Sequence, residues 1–127
     1  MQNDWAYLEK YAIENQLLLK LPNNGNRIVF IGDSITEFWQ RYDSAFFTQN
    51  KYINRGISSQ TTSQIQERFQ NDVIDLEPKC VIILAGINDI AENNGPISIE
   101  EIMNNIVSMV EKELKNTFLE KQKKCET

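Results

Sequence analysis

The stretch Arg27-Ile28-Val29-Phe30-Ile31-Gly32-Asp33-Ser34 decides the fold. From Ile28 to Ile31 every side chain is β-branched or aromatic, with no polar alternation, and the run stops at a glycine. A strand of that composition is buried on both faces, as strands of parallel sheets are. The turn at Asp33-Ser34 then leads into a helix expected to run through Trp39.

Outward from this stretch the same alternation of element types continues. Upstream, residues 4–19 read as a helix with Trp5, Leu8, Ala12, Leu17, Leu18 and Leu19 roughly on one side, stopped by Pro22-Asn23-Asn24-Gly25-Asn26. Downstream, residues 51–54 read as a second strand. Gly56 and the polar run Ser58-Ser59-Gln60-Thr61-Thr62 follow, as caps for a helix whose apolar stripe is Ile65, Phe69, Val73 and Leu76. Pro78 ends that helix. Residues 80–86, Cys-Val-Ile-Ile-Leu-Ala-Gly, carry no charge and read as a third strand, expected at the centre of the sheet. Beyond the Asn93-Asn94-Gly95-Pro96 loop, Ser98 and Glu101 form a capping box for a helix lined by Ile99, Ile102, Met103, Ile106, Val107, Val110 and Leu114. The order α-β-α-β-α-β-α calls for a parallel sheet with right-handed crossovers and helices on both faces, an α/β fold.

The bulk composition limits what such a sheet can serve. A chain of 127 residues is one domain's worth, and 41% hydrophobic with 24% charged residues is ordinary globular composition. A net charge of -5 repels phosphate backbones and anionic lipid, so neither nucleic acid nor a membrane surface is expected as a partner. The N-terminus has no basic start and no signal-like apolar run, and a cytoplasmic location is expected. Cys80 and Cys125 lie far apart and read as unpaired thiols. The chain contains no histidine, which removes the commonest general base and the commonest metal ligand together; no metal or cofactor is expected.

All three strands end in glycine and small polar residues: Gly32-Asp33-Ser34, Gly56-Ile57-Ser58 and Gly86-Ile87-Asn88-Asp89. In an open α/β sheet these ends gather on one side, where function collects. A serine on a strand-to-helix turn exposes its hydroxyl beside the helix N-terminus, Gly56 admits a close backbone approach, and Asn88 offers a neutral side-chain N–H. One nucleophile with donors for a developing oxyanion is the chemistry of acyl transfer.

These blocks resemble the SGNH/GDSL-type esterase and acylhydrolase family: Gly32-Asp33-Ser34-Ile35-Thr36 its first block, Asn54-Arg55-Gly56 its second, Gly86-Ile87-Asn88-Asp89 its third. The resemblance implies a flavodoxin-like three-layer α/β/α fold with strand order 2-1-3. It also implies Ser34 as nucleophile, an oxyanion hole from Ser34, Gly56 and Asn88, and Asp33 and Asp89 in support. It implies hydrolysis of carboxylic esters, of an acylated sugar or a lipid. The family's last block, Asp-x-x-His, is missing from this sequence. The sequence is therefore expected to hold a partial hydrolase domain over residues 1–115, truncated after about three strands, with a charged, out-of-frame tail over 116–127. Turnover is expected to be lost or residual, the alternative being an ester- or glycan-binding remnant. The uncharged strand 80–86, left without its next neighbour, is expected to drive self-association.

Plainer roles compete for single residues. Ser34 as a mere helix N-cap, Gly56 as a turn glycine and Asn88 as a loop cap each suffice alone, but not jointly. Asp33 as a phosphoryl- or Mg²⁺-binding carboxylate lacks a second carboxylate cluster, so a hydrogen bond to its own turn is expected instead. Trp39, Phe46 and Phe47 read as packing surface rather than an acyl pocket, and Ser58, Ser59, Thr61 and Thr62 as helix caps.

Overall fold

The computed structural model describes residues 3–125, with side chains to residue 119; the expectation for Cys125 as an unpaired thiol and that for the charged tail beyond residue 119 lie outside those side chains. The Asp4 carboxylate accepts the N–H groups of Leu8 and Glu9 and starts a 3₁₀ turn, Leu8–Tyr11, that continues as α1, Ala12–Leu19. Next come β1, Ile28–Gly32; α2, Ser34–Tyr42; α3, Ser44–Asn50; and β2, Ile53–Gly56. They are followed by α4, Thr62–Glu67; α5, Phe69–Asp72; a 3₁₀ turn, Ile74–Leu76; β3, Cys80–Leu84; α6, Ile87–Ile90; and α7, Ile99–Cys125. The strands form one parallel sheet in the order β2-β1-β3, with Gly32 registered against Gly56 and Leu84, so all three carboxyl ends finish level.

The sheet separates two packing layers. Val29 and Ile31 point to one face, where Ile65, Phe69, Val73, Leu76 and Met109 are buried against them. Each such side chain contributes on the order of 1.5–3 kcal/mol by leaving water. The stripe expected on one helix is thus buried as a unit, although the backbone divides it among α4, α5 and the 3₁₀ turn. Phe30 points to the other face and gathers Trp39, Phe46, Phe47 and Tyr52, with Trp39 stacked on Phe46 at 4.9 Å. These aromatic side chains pack against one another, as expected.

Four expectations need correction. Strand β2 begins at Ile53 rather than 51, because α3 fills the preceding segment and Lys51 closes it at φ 57, a left-handed backbone that no strand continues. Asp43 starts α3 by accepting the Phe46 N–H. α1 buries Asn15, not a leucine stripe, and Leu17 and Leu19 stay exposed. β1, not β3, is the central strand; Val81 and Ile83 pack into the core while Cys80, Ile82 and Leu84 are exposed. Along α7, Ile102 and Met109 are buried, but Ile99, Met103, Val107, Val110 and Leu114 are not.

Candidate active site

The polar residues that shape the strand ends are organised by buried side chains beneath them. Arg68 is wholly buried, donates to Asp72 (2.9 Å), to the Gly32 carbonyl (3.1 Å) and to Gln60 Oε1 (2.6 Å). Asp72 in turn accepts from Asn15, whose Oδ1 takes two bonds from Arg55. Burial pulls the Arg55 and Arg68 guanidinium groups below their ordinary range, and Asp72 opposes that shift. The pairing and extra hydrogen bonds are what allow such charges inside the fold. One network therefore ties the N-terminal helix, the end of β1 and the loop after β2.

Ser34 is the first residue of α2. Its predecessor Asp33 is the N-cap, accepting the Ile35 N–H at 3.0 Å, so the capping role open to Ser34 belongs to Asp33. Asp33 is 1% exposed, and its Oδ2 has no partner among the described residues. At the first helical position the Ser34 N–H has no intrahelical acceptor. Neither that N–H nor the hydroxyl enters a hydrogen bond among the described residues.

Asn88 lies in α6, entered through Gly86 at φ 119, a conformation that favours glycine. Its Nδ2 donates to the Gln60 carbonyl at 3.0 Å and its Oδ1 accepts from Asn93 at 2.9 Å, which leaves one amide hydrogen uncommitted. Asp89 is buried and grips Thr62, accepting its N–H at 2.8 Å and its hydroxyl at 2.6 Å. Its support thus goes to the start of α4, holding the loop between β2 and α4 in place.

Gly56 departs from the role expected of it. Its N–H is donated to Asn54 Oδ1 at 2.9 Å, and a Cβ there would lie 2.2 Å from the Glu37 nitrogen. It is a packing glycine beneath α2 and does not face the open side of the turn. Among the described residues the N–H of this loop without a partner belongs to Ser59, which sits at φ 68 between Ser58, whose N–H is taken by Glu37, and Gln60. Burial alone would raise the Glu37 carboxyl, but Lys10, the Ser58 N–H and Arg41 together hold it below the usual range. Ser59 was read as a helix cap; only its backbone angle marks it out, and that angle has no signal in a run of serines and threonines. Gln60 was equally hidden in the capping run, and nothing in the sequence singled out Arg68.

Residues 30–119, including Ser34, Asn88 and the loop between β2 and α4, match the GDSL-like Lipase/Acylhydrolase family. The chain belongs to this family. Among solved structures it resembles a candidate acylhydrolase of Bacteroides fragilis NCTC 9343, with 48% identity and TM-score 0.86 over 91% of this chain and 55% of that one. A GDSL-like lipase of Bacteroides thetaiotaomicron VPI-5482 is similar at 45% identity and TM-score 0.83, over 87% of this chain and 54% of that one. An uncharacterized lipoprotein, YqeF, of Bacillus subtilis strain 168 is 37% identical over 50% of this chain and 28% of its own length. The chain thus spans about half the length of its solved relatives. The three-stranded parallel sheet flanked by helices is the arrangement it shares with these family members.

Proposed function

We propose that the chain forms the nucleophile and oxyanion half of a serine carboxylic-ester hydrolase. The observation that carries the reading is that neither the Ser34 hydroxyl nor its N–H is hydrogen-bonded among the described residues, at the first turn of α2, where β1 ends in register with the strands that lead to the Ser59 loop and to Asn88. Ser34 attacks the acyl carbon, and the oxyanion that forms is held by the N–H groups of Ser34 and Ser59 and the remaining amide hydrogen of Asn88. Collapse expels the alcohol, and water attacking the acyl-enzyme releases the acid and restores the hydroxyl. Both proton transfers need a base, and these 127 residues contain no histidine. The base therefore belongs to the part of the domain present in the longer relatives, in the Asp-x-x-His block implied by the family resemblance. The orphan Oδ2 of Asp33 supports this division, because a buried carboxylate oxygen needs a donor that the described residues do not supply.

The lack of histidine also favours a second reading, a binding remnant that holds esters without turning them over. Joining the chain, after residue 119, to the remaining part of the Bacteroides fragilis relative separates the two. Hydrolysis of p-nitrophenyl acetate is expected to rise by about 10³-fold or more and to fall on the acid side with a pKa near 7, as for a histidine acting as base. A folded fusion that stays inactive, or one that works equally well after Ser34→Ala, sinks the hydrolase reading.

A further inference from the structure

A cleft of about 500 Å³ opens beside Ser59 and continues between the N-terminal segment and the loop after α6. Volumes of this order hold small organic ligands. Its wall is built by two glutamines of the loop and helix behind the oxyanion donors. Gln60 donates to the Ala6 carbonyl at 2.6 Å and Gln64 to the Trp5 carbonyl at 2.8 Å. These bonds fix the segment that carries Trp5 and Tyr7 against the site, yet both rings remain open to solvent, at 45% and 50% exposure. A second cavity of about 230 Å³ adjoins the first through Trp5 and Asn94, so the indole stands between two volumes.

The polar lining is mostly neutral, made of amides and hydroxyls that can both donate and accept. Asn94 spends its amide hydrogens inward, on Thr61 and Gln64, and Asn93 one of its two, on Asn88 Oδ1. Their carbonyl oxygens, with the hydroxyls of Ser58 and Ser59, carry no hydrogen bond among the described residues. The one charged side chain of this cleft, Asp4, has its carboxylate occupied by the N–H groups of Leu8 and Glu9. Aliphatic lining is confined to Ile57, which is itself buried. An anionic ligand finds no cation here, and a fatty chain finds no apolar trough. A neutral ligand rich in hydroxyls, with flat C–H faces to lay on an indole, matches both the rings and the uncommitted acceptors.

We infer that this cleft binds the alcohol part of the ester as a neutral saccharide, with Trp5 as the stacking platform and Asn93 and Asn94 accepting sugar hydroxyls. The assignment rests on the proposed ester hydrolysis for its connection to Ser34, but the sugar site stands on its own residues. Trp5 touches the ligand rather than the reacting atoms, so it sets specificity.

Saturation-transfer NMR on the 127-residue chain with 6-O-acetylcellobiose, cellobiose and hexyl acetate, each at about 10 mM, tests this. Both saccharides are expected to receive saturation on their ring protons, and hexyl acetate none. Trp5→Ala should weaken saccharide binding by about tenfold, the scale of one aromatic contact, while Trp5→Phe retains most of it. A thermal melt shows whether each variant is folded, and if Trp5→Ala is not, the comparison of the three ligands on the unaltered chain still decides. No saccharide signal, or saturation of hexyl acetate in place of the sugars, overturns the inference, as does binding unchanged in a folded Trp5→Ala. Labelling of Ser34 by an ethyl fluorophosphonate on the same protein reports the hydrolase reading separately. Sugar binding without labelling leaves the saccharide site standing and the hydrolase reading failed; labelling without sugar binding does the reverse.

Discussion

Two neighbouring loop residues show how a residue's identity and its surroundings divide the work. Gly56 is needed because Glu37 backbone lies where a side chain would go, whereas Ser59 tolerates a side chain but holds a left-handed angle. Gly56→Ala is expected to push α2 off the sheet and cost about 1–3 kcal/mol in a urea melt, the range for overpacking a filled interior. Ser59→Gly should change the same melt by less than about 1 kcal/mol, since relief of the left-handed angle is offset by a more flexible unfolded chain. The sequence named Ser34, Asn88 and Asp33 because each stands in a local pattern at a strand end. It read the Gly56 N–H as a donor for the site, whereas that N–H goes to Asn54, because nothing in Asn-Arg-Gly tells whether the glycine faces solvent or a helix, and that depends on how α2 crosses β2.

At the level of elements, apolar patterns were legible and polar burial was not. The strands and the Ile65, Phe69, Val73, Leu76 stripe follow from periodicity, and all are buried or half-buried where they pack. The N-terminal helix was misread because its inward side is Asn15 of α1 and Tyr11 of the 3₁₀ turn before it, whose partners Arg55, Asp72 and the Gly56 carbonyl come from distant segments. Tyr11 donates its hydroxyl to the Gly56 carbonyl at 2.6 Å, and burial, with the nearby Glu37 charge, pushes its pKa up from 10.0 to about 12. The fold therefore favours the neutral phenol. Its contribution is complete below the unfolded pKa near 10 and declines as pH rises toward about 12, because the unfolded chain gives up the proton first. Urea midpoints measured from pH 9 to pH 11.5 should fall in the unaltered chain, and the fall should be shallower in Tyr11→Phe. Equal slopes would show that Tyr11 is not held neutral by α1 and β2.

For the molecule as a whole, part of the exposed apolar surface lies on one side of the sheet and along α7. Ile82 and Leu84 are 39% and 44% exposed on the Phe30 face of β3, beyond the reach of the aromatic cluster, and Met103, Val107, Val110 and Leu114 lie open on α7. Among the described residues β3 pairs with β1 alone. An unpaired edge with apolar side chains is a template for association. Light scattering of the purified chain at micromolar concentration is expected to show oligomers, and Ile82→Lys should reduce them; a monomer throughout the range would mean that this surface is covered in solution. None of the described helices is long and apolar enough to cross a membrane, so the exposed α7 residues do not amount to a spanning segment. Patterning alone assigned this surface to the core, because it cannot say which side of an apolar element has a neighbour.

The central claim is a preorganised Ser34 with its oxyanion donors, and the most direct measurement is the rate at which an ethyl fluorophosphonate labels the 127-residue chain, followed by intact mass and peptide mapping. The Ser34 oxygen displaces fluoride from phosphorus and its proton passes to solvent, so the reaction reads the donors without requiring the missing base. Labelling is expected at Ser34 alone, to vanish in Ser34→Ala, and to slow by about 10²–10³-fold in Asn88→Ala, the scale of one oxyanion donor. Modification spread over several serines, or a rate indifferent to Asn88 in a folded variant, would contradict it.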